Sequence, residues 1–218
     1  MTDSSRAIAD YWNAASSGFD DEPDHGLRAA PTREAWTRRV RGWLPPGPAD
    51  VLDVGCGTGS LAELVAAGGH RVTGVDLAPR MAARARAKLA AAGVPGRFLV
   101  GDATAPPLQE GSFDVVLSRH VIWTIPEPER ALRAWARLLR PGGRLVLVEG
   151  RWRETAEQTA PYVAGAERLP WGGGIGAAEL AAVVRPLVAE LRIEPLSEDA
   201  ALWGGPVHDE RYALIAQL

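Results

Sequence analysis

Glycines and carboxylates follow the short apolar runs of this sequence, a pattern that can hold a polar ligand. The apolar run at 51–54 leads into a loop with glycines at 55, 57 and 59, and a helix-like segment follows the loop. Glycine lets a backbone approach a ligand closely and adopt positive φ, and a helix N-terminus presents unpaired N–H groups. The loop from Gly55 to Gly59 can therefore cradle an extended polar molecule.

Two further acids follow the next two apolar runs. Asp76 lies 21 residues after Gly55, at the end of the second predicted strand, where a carboxylate can accept both hydroxyls of a ribose. Asp102 follows the third predicted strand, where an adenine amine can donate to it. Because the carboxyl ends of parallel strands meet at one sheet edge, these acids are predicted to line one crevice.

Glycine spacing separates two classes of cofactor. A dinucleotide site usually has the pattern G-x-G-x-x-G/A, because the diphosphate lies on the loop. Here Ser60 occupies the sixth place, and Asp53 stands two residues before the first glycine. An acid beside the loop repels a diphosphate but attracts an ammonium group. The pattern therefore favours S-adenosylmethionine, which has an ammonium group and no phosphate.

The scaffold that must position these residues is predicted from residue 49 onward. Short apolar strands alternate there with helix-length segments, which predicts an α/β fold whose parallel sheet is covered on both faces. Strands are predicted at 51–54, 71–75, 97–100, 113–117, 144–149, 191–196 and 211–218, and helices at 59–67, 79–92, 127–139 and 177–190. Residues 1–48 form a predicted helical prefix that ends in a proline-rich stretch, and 49–218 form the main domain.

Five motifs in this order carry a resemblance to a known family. They are the glycine run at 51–59, Val75-Asp76-Leu77, Gly101-Asp102-Ala103, the apolar run at 113–116 and the Pro-Gly-Gly segment at 139–145. Together they resemble the class I S-adenosylmethionine-dependent methyltransferases, most of all the branch of small-molecule and quinone-biosynthesis enzymes. The resemblance implies a Rossmann-like, doubly wound, seven-stranded sheet. That sheet is mostly parallel, and its antiparallel last strand, 211–218, inserts beside 191–196.

The same resemblance implies which residues hold the cofactor. The glycine loop passes the methionine part, Asp76 holds the ribose, and Asp102 with Ala103 flanks the adenine. The prefix folds over the cofactor, with Tyr11 or Arg28 near the methionine carboxylate, although a plain packing helix is the alternative. The cofactor-binding residues predicted in this way are Tyr11, Arg28, Asp53, Gly55, Cys56, Gly57, Gly59, Asp76, Leu77, Met81, Asp102, Ala103 and Arg119.

His120 is the candidate catalytic base. The end of the fourth strand faces the transferable methyl group in this fold, and an imidazole there can take a proton near neutral pH. The alternative is a histidine that only shapes the cofactor pocket. Four further residues are predicted to contact the methyl acceptor by stacking, cation–π contact or capping. They are His25, Trp123, Trp152 and Trp171. The alternative is ordinary packing for the tryptophans and a solvated loop histidine for His25.

Composition limits the partners. The chain has 24 basic and 27 acidic residues, a net charge of −3, so it has no basic stripe for nucleic acid. It has one cysteine, no secretion signal and no membrane-spanning apolar run, which predicts a cytoplasmic protein away from membranes. Neither cysteines nor carboxylates are spaced for a metal, so no metal is predicted. A monomer or homodimer is expected.

These observations predict a methyltransferase that moves a methyl group to an N, O or S atom of a small-molecule acceptor. No Asn/Asp-Pro-Pro-aromatic sequence follows the fourth strand, which points away from nucleobases and protein glutamine as acceptors. Two alternatives stay open. One is a nicotinamide-dependent oxidoreductase on the same sheet, and the other is a non-catalytic cofactor-binding protein.

Overall fold

The computed structural model describes residues 3–152, 163 and 165–218. Its strands are β1 Asp50–Val54, β2 Arg71–Asp76, β3 Arg97–Val100, β4 Phe113–Arg119, β5 Leu139–Gly150, β6 Glu190–Pro195 and β7 Arg211–Gln217. They form one sheet in the order β3-β2-β1-β4-β5-β7-β6. The first five strands pair in parallel, and β7 runs antiparallel between β5 and β6. The predicted Rossmann-like sheet with an antiparallel last strand is confirmed.

Eight helices are found in the described residues. They are α1 Asp3–Ala15, α2 Pro23–Gly26, α3 Ala30–Trp43, α4 Ser60–Ala67, α5 Pro79–Ala91, α6 Pro128–Leu138, α7 Ala177–Val184 and α8 Ala200–Trp203. Proline stands in the first turn of α3, α5 and α6, where its missing N–H leaves no intrahelical bond unmade. Within the described ranges, no helix is long and apolar enough to cross a bilayer.

Two predicted boundaries are wrong. The helix predicted at 177–190 ends at Val184, because Pro186 has no N–H for a further helical bond and lies in a short 3₁₀ turn. Strand β5 begins at Leu139 rather than 144, and it includes the turn expected at 140–143. The pairing of β5 with β4 is irregular there, and Gly142 has a φ of 74°.

The core lies on both faces of the sheet. Alternate residues of β1 point to opposite faces, so Val51 belongs to one buried cluster and Leu52 to the other. Helices α3, α4 and α5 pack on the first face, and α6 and α7 pack on the second. Trp36 and Trp43 are fully buried in the first cluster, so α3, although part of the sequence prefix, belongs to the core. Trp135 of α6 is buried in the second cluster.

Candidate functional site

A cleft of about 340 Å³ opens at the carboxyl ends of β1 to β4 and is covered by the N-terminal segment. Its volume lies at the lower end of the range typical of small-molecule sites, about 300–1,000 Å³. The predicted site residues that line it are His25, Gly55, Gly57, Asp76, Leu77, Met81, Asp102, Ala103, Arg119 and His120. Asp53 and Cys56 line a smaller adjoining pocket, together with Gly55, Gly57 and Arg119. The fold thus brings most of the predicted residues together.

The three loop glycines have two different tasks. Gly55 has a φ of 67°, and a Cβ there would lie 2.3 Å from a methyl group of Val121 in the loop after β4. Gly57 also faces the cleft. Gly59 is not among the residues that line the cleft, and its cofactor contact stays a prediction. It precedes α4 with a φ of 83°, and a Cβ there would lie 2.8 Å from Cβ of Ala85, so it allows α4 and α5 to pack closely.

Asp76 braces the glycine loop as well as lining the cleft. Its Oδ2 accepts a hydrogen bond from the N–H of Gly57, and its Oδ1 accepts one from the N–H of Ala78, each at 2.8 Å. Burial raises the pKa of Asp76 to about 6, and the two N–H donors oppose that rise. A carboxylate has about four acceptor positions, so two stay available to a ligand in the cleft.

The loop after β3 is fixed in a similar way. Oδ1 of Asp102 accepts hydrogen bonds from both the N–H and the hydroxyl of Thr104, each at 2.8 Å. The carbonyl of Ala103 accepts a hydrogen bond from the indole N–H of Trp135 in α6. Met81 of α5 is buried and lines the same part of the cleft. The predicted adenine end is therefore a preformed surface held by neighbouring elements.

Arg119 and Asp53 bring opposite charges to the far end of the glycine loop. Arg119 donates to the backbone carbonyl of Asp24, and its guanidinium carbon lies 4.7 Å from the ring centre of Trp36. Asp53 is buried, and its Oδ2 has no hydrogen-bond partner in the described part of the chain. Burial raises the pKa of Asp53 to about 7, against the opposing charge of Arg119. The two side chains can receive the carboxylate and ammonium of an amino acid.

Two predicted cofactor contacts lie outside the cleft. Arg28 is exposed and forms a 2.8 Å ion pair with Asp21, so it does not reach the ligand space. The side chain of Tyr11 is 40% exposed and meets the edge of Trp12, which itself lines the cleft. Cofactor contact by Tyr11 and Arg28 stays a prediction of the sequence. Arg119, unlike Arg28, is among the residues that line the cleft.

His120 is held between aromatic rings directly after β4. Its ring centre lies 4.4 Å from that of Trp152 and 5.9 Å from that of Trp203, to which it is nearly parallel. Its Nε2 is buried without a hydrogen-bond partner among the described residues. Burial, followed by the charge of Arg119, lowers the pKa of His120 well below its ordinary value. The imidazole is therefore neutral near pH 7.

The predicted acceptor residues separate into two groups. His25 lines the cleft and stacks on Phe19 with ring centres 4.3 Å apart, and Trp152 packs on His120. Trp123 does not line the cleft but donates its indole N–H to the carbonyl of His120 at 2.8 Å. Trp171 packs against the second core cluster, away from the cleft, because the loop after β5 folds back onto the sheet there. Trp152 is also not among the residues that line the cleft, and direct acceptor contact by these three tryptophans stays a prediction.

The N-terminal segment is fastened across the loop by charge. Asp20 forms a 2.8 Å ion pair with Lys88, the only lysine of the chain, and accepts a hydrogen bond from the hydroxyl of Thr58. Sequence reasoning missed this role of Asp20, because nothing local to residue 20 reveals a partner in α5. It also missed Glu149, which follows an apolar strand as Asp76 and Asp102 do, so the same rule would have found it.

Asp24, His25 and His120 offer ligand atoms that all lie within 4.8 Å of one another. Two guanidinium groups lie beside them: Arg119 bonds the Asp24 carbonyl, and Arg211 lies 3.9 Å from the Asp24 carboxylate. Positive charges at this range oppose the binding of a metal cation.

Comparisons with known proteins agree with this geometry. A model of the family described as "Methyltransferase domain" matches residues 52–147. A ubiquinone biosynthesis O-methyltransferase of Xanthomonas axonopodis pv. citri (strain 306) is 37% identical over 203 residues, 88% of this chain and 80% of that protein. A demethylmenaquinone methyltransferase of Thermus thermophilus is 43% identical over 117 residues, which span 52% of this chain and about half of that protein, 53%.

A solved structure gives the same answer for the fold. The crystal structure of the (4+2)-cyclase SpnF matches with a TM-score of 0.67 at 26% identity, over 84% of this chain and 80% of that one. The fold, the acid-lined glycine cleft and a relative matched over four-fifths of its length point the same way. The chain therefore belongs to the class I S-adenosylmethionine-dependent methyltransferases, on the branch that resembles the quinone-biosynthesis enzymes.

Proposed function

We propose that this methyltransferase moves the methyl group of S-adenosylmethionine to an oxygen atom of a small-molecule metabolite, with His120 as the base. The observation that carries the proposal is the buried, unpaired Nε2 of His120 in the same cleft as the glycine loop and Asp76. A buried polar atom without a partner is unfavourable, so an acceptor hydroxyl that donates to it gains binding energy. When bound, S-adenosylmethionine supplies an electrophilic methyl group on a sulfonium.

The residues of the cleft suit this cofactor. The unpaired Oδ2 of Asp53 can accept from the ammonium of the methionine part, and Arg119 can bind its carboxylate. Asp76 has free acceptor positions for the ribose hydroxyls. Asp102 and Ala103 line the adenine end. Among the described residues no group bonds the Oδ2 of Asp53, so a diphosphate would meet an acid beside the loop.

His120 acts on the acceptor rather than on the cofactor. A neutral imidazole can take the proton of a phenol or alcohol, whereas a thiolate or an amine needs little help from a base. The name of the Xanthomonas relative, an O-methyltransferase, supports oxygen over nitrogen and sulfur. We propose His25 as an acceptor contact, because it lines the cleft and lies beside His120. Trp152 packs on the His120 ring, so we propose that it orients this imidazole.

We propose the N-terminal segment from Phe19 to His25 as the cover of the site. Asp20 fixes it to Lys88 and to the glycine loop, and Phe19 and His25 line the cleft. This narrows the predicted lid at 1–48, because α3 is part of the core. A cytoplasmic setting, the absence of nucleic-acid partners, and a monomeric or dimeric state stay predictions of the sequence.

Transfer of an isotope-labelled methyl group tests the proposal. Purified protein is incubated with methyl-labelled cofactor and a panel of phenols, amines and thiols of similar size, and labelled products are counted. We expect label in the phenols and at least a tenfold loss of that turnover in His120→Ala, with His70→Ala at the far sheet edge unaffected. A His120→Ala variant that keeps the full rate would contradict the role of His120 as the base. If none of the acceptor classes gains label, the proposed methyl transfer is overturned. An unlabelled, rearranged product would favour a cyclase like SpnF instead.

A further inference from the structure

Glu149 is a buried acid that the proposed reaction does not use. It lies one residue before the end of β5, with no exposed surface. Its Oε1 accepts hydrogen bonds from the backbone N–H groups of Val121 and Ile122, both at 3.1 Å. These two residues directly follow His120. Its Oε2 has no hydrogen-bond partner in the described ranges.

The backbone that Glu149 bonds is under strain. His120 has a φ of 59°, one of two positive values among the described residues other than glycine, the second being Leu27. A residue with a side chain is strained in this left-handed region, and the conformation persists only where the surroundings hold it. The strain turns the chain sharply after β4 and directs the imidazole between Trp152 and Trp203.

Four hydrogen bonds hold this turn, two of them to Glu149. The N–H of His120 donates to the carbonyl of Val148 at 3.0 Å, and its carbonyl accepts from the indole of Trp123. The 3₁₀ turn Ile122–Thr124 that follows has no side-chain cap from its own N-cap residue. Glu149 therefore caps this turn from the neighbouring strand. Without it, two buried or half-buried N–H groups lose the acceptor that they have among the described residues, which is unfavourable.

We propose that Glu149 is a positioning residue for methyl transfer, which fixes the left-handed turn at His120 by accepting the N–H groups of Val121 and Ile122. This rests on the proposed function, because it assumes that His120 meets the acceptor. Glu149 touches neither the cofactor space nor the acceptor space, since it does not line the cleft. Glu149 acts on the His120 imidazole through the backbone that follows the neighbouring strand β4.

The proposal requires an acceptor oxygen and not a charge. Burial raises the pKa of Glu149 to about 8, with the two N–H donors opposing the rise, so the side chain is mostly a neutral acid near pH 7. A neutral carboxyl accepts N–H bonds through its carbonyl oxygen. Glutamine has the same oxygen on a side chain of the same length. Leucine and methionine fill similar space without an acceptor.

Kinetics of Glu149→Gln, Glu149→Leu, His120→Ala and the double variant Glu149→Leu/His120→Ala test the idea. We expect Glu149→Gln to keep kcat within about threefold of wild type. We expect Glu149→Leu to lose at least tenfold in kcat while its Kd for S-adenosylhomocysteine by calorimetry stays within twofold. The double variant should be no slower than His120→Ala alone, because Glu149 acts only through the position of the His120 side chain, which the second change removes. Glu149→Met replaces Glu149→Leu where the latter does not fold.

The outcomes that overturn the proposal are distinct from those that overturn the function. Full kcat in Glu149→Leu or Glu149→Met, or a double variant slowed by the product of the single effects, contradicts positioning through His120. An inactive wild type contradicts the proposed function instead. In that case the imidazole resonances of labelled histidine still test the turn. We expect the His120 signal to be unchanged in Glu149→Gln and shifted or broadened in Glu149→Leu, and an unchanged signal in both overturns the proposal.

Discussion

The Oδ2 of Asp76 accepts a hydrogen bond from the N–H of Gly57 at 2.8 Å, so the acid at the ribose end of the cleft also sets the shape of the glycine loop. A second N–H, from Ala78, reaches the other oxygen. Binding and loop geometry are therefore coupled in one side chain. Two of its acceptor positions serve the protein, and the others face the ligand.

Replacing Asp76 should therefore weaken cofactor binding more than the loss of a single ligand contact would. We expect Asp76→Ala to raise the Kd for S-adenosylhomocysteine by about 100-fold or more, because two contacts of about 1–3 kcal/mol each are lost along with the loop geometry. Isothermal titration calorimetry measures this. Asp10→Asn, on the exposed side of α1, is the control. An Asp76→Ala protein that binds as well as this control contradicts the assignment.

Arg119 and Arg28 are a test position and its control for recognition of the methionine carboxylate. We expect Arg119→Gln to raise the Kd for S-adenosylhomocysteine at least tenfold and Arg28→Gln to leave it unchanged, since Arg119 lines the cleft and Arg28 does not. Binding of 5′-methylthioadenosine, which has no carboxylate, should be equal in wild type and Arg119→Gln. Equal losses for both ligands would show a general packing defect instead of carboxylate recognition.

Gly59 and Gly69 separate backbone strain from close packing. Both have positive φ, 83° and 87°, but a Cβ at Gly59 lies 2.8 Å from that of Ala85, whereas a Cβ at Gly69 has no neighbour within 4 Å. We expect Gly59→Ala to lower the free energy of unfolding by about 1–3 kcal/mol more than Gly69→Ala, because it forces α4 and α5 apart. Urea denaturation measures both. Equal destabilisation would contradict the packing role of Gly59.

The stability of the protein should depend on pH through its buried acids. Burial raises the pKa of Glu149 to about 8 and that of Asp53 to about 7, both above the values of the unfolded chain. The folded state then holds protons that the unfolded state has released, so this stabilisation is complete below about pH 4 and is lost as pH rises towards 8. Histidines with lowered pKa, such as His120, act oppositely below about pH 6.5.

We therefore expect the free energy of unfolding to fall between pH 6.5 and 8, by at most about 1.4 kcal/mol per pH unit for each extra proton held. Glu149→Gln cannot release this proton, so its curve should be flatter over the same range. Urea denaturation at half-unit steps of pH measures both curves. Two parallel curves would contradict a raised pKa at Glu149.

Much of the fold was predictable because its signals are local. The glycine loop, the acids after β2 and β3, and the apolar strands each depend on a few adjacent residues, and the structure places Asp76 and Asp102 at one cleft as the pattern indicates. The length of the helix that begins at residue 177 was overestimated, because its apolar pattern continues past Pro186 although the helical hydrogen bonding ends before it.

The acceptor side could not be predicted to the same depth. Residues 24–25 and His120 come from segments 95 positions apart, and only tertiary packing shows that they meet at Arg119. A tryptophan in a sequence is equally compatible with core packing and with ligand contact. The sequence therefore could not distinguish Trp123, which donates to the His120 carbonyl, from Trp152, which packs on the His120 ring. Part of the loop after β5, at 153–162, lies outside the described residues.

Calorimetry on the unmodified protein tests the central claim most directly. In the described part of the cleft, Asp53 has an oxygen without a hydrogen-bond partner, and Arg119 lines the same pocket. We therefore expect one S-adenosylhomocysteine to bind per chain, and we expect NAD, whose diphosphate would meet this acid, to produce no saturable heat at the same concentrations. Saturation by NAD together with no heat from S-adenosylhomocysteine would contradict the account.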